Sequence, residues 1–127
     1  MASVLQRTFK VARFDIRIDP AFDQRIRSEP GIELALAPIP KSDADVSRAL
    51  EGADVYHVSS ARNEMAKYSF VTADFLARNP HVLAISTYGA GYDSVDVDAC
   101  TKAGVIVMNQ AGANRDSVAE HAIALIL

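Results

Sequence analysis

The chain is short of cysteine, of long apolar runs and of excess positive charge, and each shortage excludes a class of protein. Cys100 is the single cysteine among 127 residues, so an intrachain disulfide is excluded and a reducing compartment is compatible. No apolar run approaches the roughly 20 residues that a membrane-spanning helix needs. The first residues include Arg7 and Lys10 and lack the apolar core of a signal peptide. We therefore expect a cytoplasmic location and no membrane partner.

The charge balance argues against a nucleic-acid partner. Asp and Glu number 16 and Lys and Arg 13, which gives a formal net charge of −3 and a pI near 5.5. A nucleic-acid surface needs a clustered basic field, whereas these cations are scattered. The one local excess, Arg7, Lys10 and Arg13, alternates with apolar residues. That alternation predicts the solvent-exposed face of a strand.

The order of apolar and amphipathic segments predicts one α/β domain. Five short apolar runs indicate strands: Phe9–Phe14, Ile32–Ala37, Val55–Val58, Val82–Ser86 and Val105–Met108. Four segments between them have the mixed spacing of amphipathic helices: Pro20–Ser28, Ala44–Leu50, Val71–Arg78 and Val95–Ala103. Nearly continuous apolar strands that alternate with helices are typical of a parallel sheet with helices on both faces. We predict a flavodoxin-like, or Rossmann-like, five-stranded parallel sheet.

A glycine-containing loop follows the fourth predicted strand. Gly89-Ala90-Gly91 is half of a dinucleotide fingerprint, because the third glycine position of that motif holds Ser94. Small residues before a helix favour an anion, and a carboxylate fits as well as a phosphate. The alternative is a tight turn that needs glycine for positive φ. Asp93 or Ser94 is expected to cap the helix that follows.

The last segment of the chain predicts a helix that is apolar nearly all round. Asn114 and Ser117 are both good N-cap residues, and Ser117 with Glu120 matches a capping box. From Val118 onward only Glu120 and His121 are polar, so we expect this helix to be buried on several sides in a complete molecule. Adjacent Glu120 and His121 point about 100° apart on a helix, and we assign them no catalytic role.

Other site patterns are weak. His57 and His81 have no neighbouring carboxylate or cysteine pattern that would bind a metal, and we expect both to be packed residues or edge residues of the sheet. A receiver-type signalling domain needs an acid after the third strand, where Ser59 and Ser60 stand. A flavin carrier needs a phosphate-binding loop after the first strand, and Asp15 to Pro20 lacks one.

Three segments of the chain together resemble the D-isomer-specific 2-hydroxyacid dehydrogenase family. They are Gly89–Asp96, the predicted strand Gly104–Asn109, and Asn114–His121, in matching order and spacing. The resemblance is specific over Val82–Leu127, and the earlier strand and helix units match in layout. The family implies a substrate domain and a separate Rossmann domain for NAD or NADP. Residues 1–113 would then be the substrate-binding domain, and residues 114–127 the start of the crossover helix to an NAD-binding domain.

The resemblance also implies roles for individual residues. The backbone N–H groups of the loop would hold the carboxylate of a small 2-hydroxy or 2-oxo acid, and the loop consists of Tyr88, Gly89, Ala90 and Gly91. Asn114 would reach the substrate, and Val118 would lie beside the nicotinamide. No catalytic residue and no metal ligand is assigned in this chain, because the family's catalytic residues belong to the other domain. Tyr92, Ser59 and Ser60 are expected to face the same cleft.

The resemblance implies that the 127 residues alone should neither bind NAD tightly nor turn over. Because Val118–Leu127 is apolar on every face, we also expect the exposed C-terminal helix to cause self-association by dimerisation or helix swapping, or else to fray. The family also includes corepressors, so a partner-binding or regulatory protein on the same fold is the alternative function.

Overall fold

A computed structural model describes residues 7–16 and 19–127 and contains five strands, five α-helices and two short 3₁₀ turns in this range. The strands are β1 (Phe9–Phe14), β2 (Ile32–Ala37), β3 (Val55–Val58), β4 (Ala84–Thr87) and β5 (Ile106–Met108). The helices are α1 (Pro20–Arg27), α2 (Asp43–Ala49), α3 (Ala73–Arg78), α4 (Val97–Ala103) and α5 (Arg115–Ile126). The 3₁₀ turns, Arg62–Glu64 and Lys67–Ser69, lie between β3 and α3.

All strand pairings are parallel, and the strand order is β2-β1-β3-β4-β5. This is the flavodoxin-like order, so the predicted fold class is confirmed. The carboxyl ends of β1, β3 and β4 therefore lie side by side at one edge of the sheet. Loops that bind ligands in such sheets extend from this edge.

The two faces of the sheet differ in what covers them. Phe14, Tyr56 and Ile85 point to one face and form the main core with Phe75 of α3, whose ring stacks on Tyr56 at 5.4 Å. His57 follows Tyr56 and therefore points to the other face, where Phe22 of α1 stacks on it. The outward residues of β5 on that second face are exposed, because α1 covers the other end of the sheet.

Two predicted helix starts were two residues too early, for one shared reason. Val71 and Val95 form a parallel β-bridge, with Val71 N–H donating to the Ser94 carbonyl at 2.9 Å and Asp96 N–H to the Val71 carbonyl at 2.8 Å. Both residues are extended, so α3 begins after Thr72 and α4 after Asp96. Each of these residues caps its helix by accepting a backbone N–H. Asp93 and Ser94 were thus wrongly predicted as caps.

The C-terminal end of α4 agrees with its sequence signals. Lys102 lies in the last turn, where a cation suits the helix dipole. Gly104 adopts the left-handed conformation with φ of 72°, which glycine accepts without a side-chain clash. Strand β5 begins two residues after this turn.

Helix α5 begins at Arg115, with Asn114 in the N-cap position and no side-chain capping bond. Ser117 and Glu120 lie inside the helix, so the predicted capping box is wrong. Every residue of α5 is exposed, and the domain covers none of its faces.

Candidate functional site

The glycine loop, residues 88–91, leaves the sheet at the carboxyl end of β4. Tyr88 N–H donates to the Val58 carbonyl at 3.2 Å, which extends the β3–β4 ladder by one bond. This amide is therefore not free for a ligand, contrary to the expectation that all four loop amides are available. Tyr88 contributes its half-buried side chain to the site instead.

The carbonyl groups of Gly89, Ala90 and Gly91 all accept hydrogen bonds from the protein. The buried Thr87 hydroxyl lies 3.1 Å from the Gly89 carbonyl and 3.0 Å from the Gly91 carbonyl. Asn109 Nδ2 donates to the Ala90 carbonyl at 2.9 Å, and Gln110 N–H donates to the Gly89 carbonyl at 3.0 Å. The loop is thus anchored through its acceptors.

The N–H groups of the same three residues are unpaired. Among the described residues, the amides of Gly89, Ala90 and Gly91 donate to no protein acceptor. Successive free N–H groups form a concave anion site. The geometry therefore suits a carboxylate or a similar anion at this edge of the sheet.

Neither glycine of the loop has positive φ, so the tight-turn alternative is wrong. A close approach favours glycine at residue 89 instead: a Cβ there would lie 3.2 Å from Ser60 Cβ and closer still to Ser60 Oγ. At Gly91 the same atom would lie at an ordinary 3.6 Å from Ser60 Cβ. Ser60, which follows β3, thus packs closely against the loop at Gly89.

A dinucleotide pyrophosphate does not fit this loop. Ser94, at the third glycine position, is buried and donates from its hydroxyl to the Ser59 carbonyl. Residues 92–96 separate the loop from α4, and the Asp96 carboxylate already accepts the Ala99 N–H at 2.9 Å. The N-terminus of α4, which was expected to contribute to anion binding, is therefore not available. An anion at this loop would be bound by the N–H groups of the loop itself.

A cavity of about 50 Å³ opens beside the loop. Its walls come from the carboxyl ends of β1, β3 and β4 and from the segment after β3; they include Phe14, Ile16, Tyr56, Ser59, Met65 and Tyr88. Glu64 also lines the cavity, and its carboxylate accepts a hydrogen bond from Ser59. Because Tyr88 belongs to both features, the cavity adjoins the loop.

His57 lies in the wall of this cavity and is 2% exposed. Its ring stacks on Phe22 with the centroids 4.2 Å apart, and its Nδ1 lies 3.1 Å from the Ser86 hydroxyl. Burial, helped by the nearby Arg13 charge, lowers the pKa of His57 to about 4. The imidazole is therefore neutral near pH 7, and the predicted packing role is confirmed.

Arg13 was wrongly predicted to lie on a solvent-exposed face. It is 5% exposed, and its guanidinium forms an ion pair with Asp23 of α1 at 2.6 Å. It also donates to the Phe14 carbonyl at 2.9 Å. The signal that was missed is the central place of β1 in the sheet, where both faces of a strand are covered.

The structure does not bring the other two proposed site residues to the loop. Asn114 and Val118 are exposed on α5, and no hydrogen bond joins Asn114 to the loop within residues 7–16 and 19–127. Gln110 does connect the loop to the segment before α5. Tyr92, also expected in the cleft, is half exposed.

The described ranges contain neither a candidate metal site nor a candidate membrane helix. No group of three or more His, Cys, Asp or Glu residues there could hold a metal ion. No helix there is long and apolar enough to cross a membrane.

Comparison with known proteins identifies the family. The model of the "D-isomer specific 2-hydroxyacid dehydrogenase, catalytic domain" matches residues 12–124. D-3-phosphoglycerate dehydrogenase of Mycobacterium leprae is 47% identical over 57 residues, which are 45% of this chain and 11% of that protein. The enzyme of the same name from Bacillus subtilis is 34% identical over 88 residues, 69% of this chain and 15% of that protein.

A solved structure extends the likeness over almost the whole chain. NAD⁺-bound 3-phosphoglycerate dehydrogenase of Entamoeba histolytica superposes with a TM-score of 0.71 at 26% identity, covering 94% of this chain and 38% of that one. In sequence, the chain covers about a tenth of the length of its mycobacterial relatives. With the family model matched over most of its length, the chain belongs to the D-isomer specific 2-hydroxyacid dehydrogenase family.

Proposed function

We propose that this chain is the substrate-binding part of an oxidoreductase that transfers a hydride between NAD or NADP and a small 2-hydroxy or 2-oxo acid. In this proposal residues 1–113 form the substrate-binding domain, and residues 114–127 begin the crossover helix to an NAD-binding domain. The observation that carries it is the set of free N–H groups at Gly89, Ala90 and Gly91. Their carbonyls are held by Thr87, Asn109 and Gln110, so the amides are preorganised for the substrate carboxylate.

The cofactor is assigned by family and by the names of relatives, one of which is NAD⁺-bound. The cofactor supplies or accepts the hydride; the described residues only bind and orient the acid. By the family resemblance we assign Val118 to the nicotinamide side of the site and Asn114 to the substrate side; Val118 lies on α5 and Asn114 at its N-cap. The buried Cys100 thiol fits a cytoplasmic location.

The proposal predicts that the loop binds carboxylate without the cofactor. In an NMR titration of the ¹⁵N-labelled chain, D-lactate should shift the amide resonances of Gly89, Ala90 and Gly91. D-lactamide, which lacks the negative charge, should bind about tenfold or more weakly, since a charge-assisted hydrogen bond is roughly twice as strong as a neutral one. Equal binding of both ligands, or shifts only elsewhere, would refute the carboxylate site.

The same chain should show no steady NADH oxidation with a panel of 2-oxo acids, because it carries no catalytic residue in this proposal. Sustained turnover by the purified 127 residues would contradict the assignment of the catalytic residues to another domain.

We also propose that the isolated chain self-associates through α5. Ile123, Leu125 and Ile126 are 59%, 75% and 83% exposed, an unusual apolar surface for a monomer. A second copy of the same helix offers the matching apolar surface, and the helix carries few charges to oppose contact.

Sedimentation equilibrium should therefore show dimers or larger species, and the double variant Ile123→Glu with Ile126→Glu should sediment as a monomer. The control Val97→Glu places the same charge at an exposed apolar residue of α4 and should leave the association intact. A monomeric parent chain whose α5 amides resist hydrogen exchange would disprove self-association.

A further inference from the structure

The cavity beside the glycine loop carries one carboxylate and no cation among its described lining residues. Glu64 lines it, oriented by the hydrogen bond from Ser59, and Ser59 Oγ in turn accepts the Ala61 N–H at 3.2 Å. These bonds hold the Glu64 carboxylate on the Ser59 side of the cavity. An anionic group that entered would meet a like charge.

Two arginines on segments that line the cavity, Arg62 and Arg13, are already engaged. Arg62 donates from Nε to the Asp93 carbonyl at 2.6 Å, and its guanidinium lies over the Phe70 ring at 5.4 Å. Arg13 is paired with Asp23 and donates to backbone carbonyls. Neither belongs to the cavity lining.

The other polar groups of the cavity are neutral. The Tyr88 hydroxyl and His57 Nε2 are buried and have no hydrogen-bond partner among the described residues. Burial raises the pKa of the Tyr88 hydroxyl, and the charges of Glu64 and Arg13 act on it in opposite directions, so the phenol stays protonated near pH 7. Two unpaired neutral groups can hydrogen-bond a hydroxyl or a carbonyl, and buried polar groups normally find such a partner.

The cavity lies beside the loop, where the side chain of a substrate held by its carboxylate would extend. Tyr88 starts the loop and lines the cavity, while Ser60, next to the lining residue Ser59, contacts the loop at Gly89. A volume of about 50 Å³ exceeds the about 10–15 Å³ needed for one water molecule. There is room for a short substituent such as a methyl or hydroxymethyl group.

We infer that this cavity is the subsite for the substrate side chain, that it takes a short uncharged substituent, and that Glu64 discriminates against a phosphate or second carboxylate. The inference rests on the proposed carboxylate site at Gly89–Gly91. It separates this chain from its relatives named D-3-phosphoglycerate dehydrogenase, with which it shares the fold and the loop.

The test compares two ligands that differ by one phosphate, D-glycerate and 3-phospho-D-glycerate, by ¹⁵N NMR titration of the 127-residue chain. D-glycerate should bind about tenfold tighter, because a phosphate monoester carries roughly −1.5 to −2 charges against the Glu64 carboxylate. Glu64→Gln keeps an acceptor for Ser59 and should reduce the ratio of the two dissociation constants to within about threefold. The control Glu33→Gln makes the same change at an exposed residue of β2 and should preserve the wild-type ratio.

Four outcomes decide the inference. Phosphoglycerate binding as tightly as glycerate in the wild-type chain, or a ratio unaffected by Glu64→Gln, would overturn it. Arg17 lies outside the described residues, so Arg17→Ala is included; tight phosphoglycerate binding that this variant abolishes would also overturn it. If neither glycerate nor lactate shifts the loop amides, the proposed function fails, which is distinguishable from loss of selectivity alone.

Discussion

Gly89→Ala is expected to weaken D-lactate binding by about tenfold or more and to lower the free energy of unfolding by about 1–3 kcal/mol. The added Cβ would lie 3.2 Å from Ser60 Cβ and nearer to Ser60 Oγ. The Ser60 hydroxyl can rotate away, but the contact with Ser60 Cβ requires the loop or the segment after β3 to shift by a few tenths of an ångström. Movement of the loop would disturb the bonds from Thr87 and Gln110 that hold its Gly89 carbonyl. Urea unfolding measures the stability, and the NMR titration measures the affinity.

Two companion variants locate the cause. Gly91→Ala puts the new Cβ at 3.6 Å from Ser60 Cβ, an ordinary contact, and should cost less in both measurements. Ser60→Gly removes both atoms that the Gly89→Ala methyl meets, so the double variant should regain stability and binding relative to Gly89→Ala alone. If Gly91→Ala is the more damaging change, or Ser60→Gly restores nothing, close approach to Ser60 is not the reason for glycine at residue 89.

The stability of the domain should fall as the pH drops from about 6.5 to about 4, by up to about 3 kcal/mol from His57 alone. The folded-state pKa of His57 is about 4, below the about 6.5 of an unfolded chain. Between these values the unfolded state binds the proton and the folded state does not, so stability rises with pH. The full contribution is present above the unfolded pKa and is lost as pH falls through this window.

Urea midpoints measured between pH 5 and 7 test this slope with little interference from most carboxyl groups. His57→Phe keeps an aromatic ring against Phe22 and removes the titration, so it should flatten the slope. His121→Gln, at an exposed residue of α5, should leave the slope as it is. A wild-type slope that His57→Phe does not change would rule out His57 as its source.

The starts of α3 and α4 show the limit of what local sequence signals can predict. Thr72 and Asp96 are good capping residues by type, yet the sequence alone favoured earlier starts because Val71 and Val95 continue the apolar spacing of their helices. The bridge between these two valines is a contact across 24 positions of the chain. Only the assembled sheet brings them together, so no local pattern could predict it.

Arg13 illustrates the same limit on charge patterns. Alternation with apolar residues predicted a solvent-exposed side chain, but the strand order places β1 between β2 and β3. Asp23 of α1 supplies the counter-charge, and a buried guanidinium is tolerated only when it is paired in this way. The Arg13–Asp23 ion pair therefore became visible only with the packing of α1.

The sequence by itself determined the α/β class, the five strands, the loop at Gly89–Gly91 and the family resemblance, because each depends on periodicity or on residues close together in the chain. The tertiary structure decided which groups surround the loop. Ser60 lies against Gly89, Thr87 bonds to the Gly89 carbonyl, and Glu64 lines the neighbouring cavity. These contacts join β3, β4 and the segment after β3. Which groups can bond depends on the distances between these segments. A pattern along the sequence does not contain those distances.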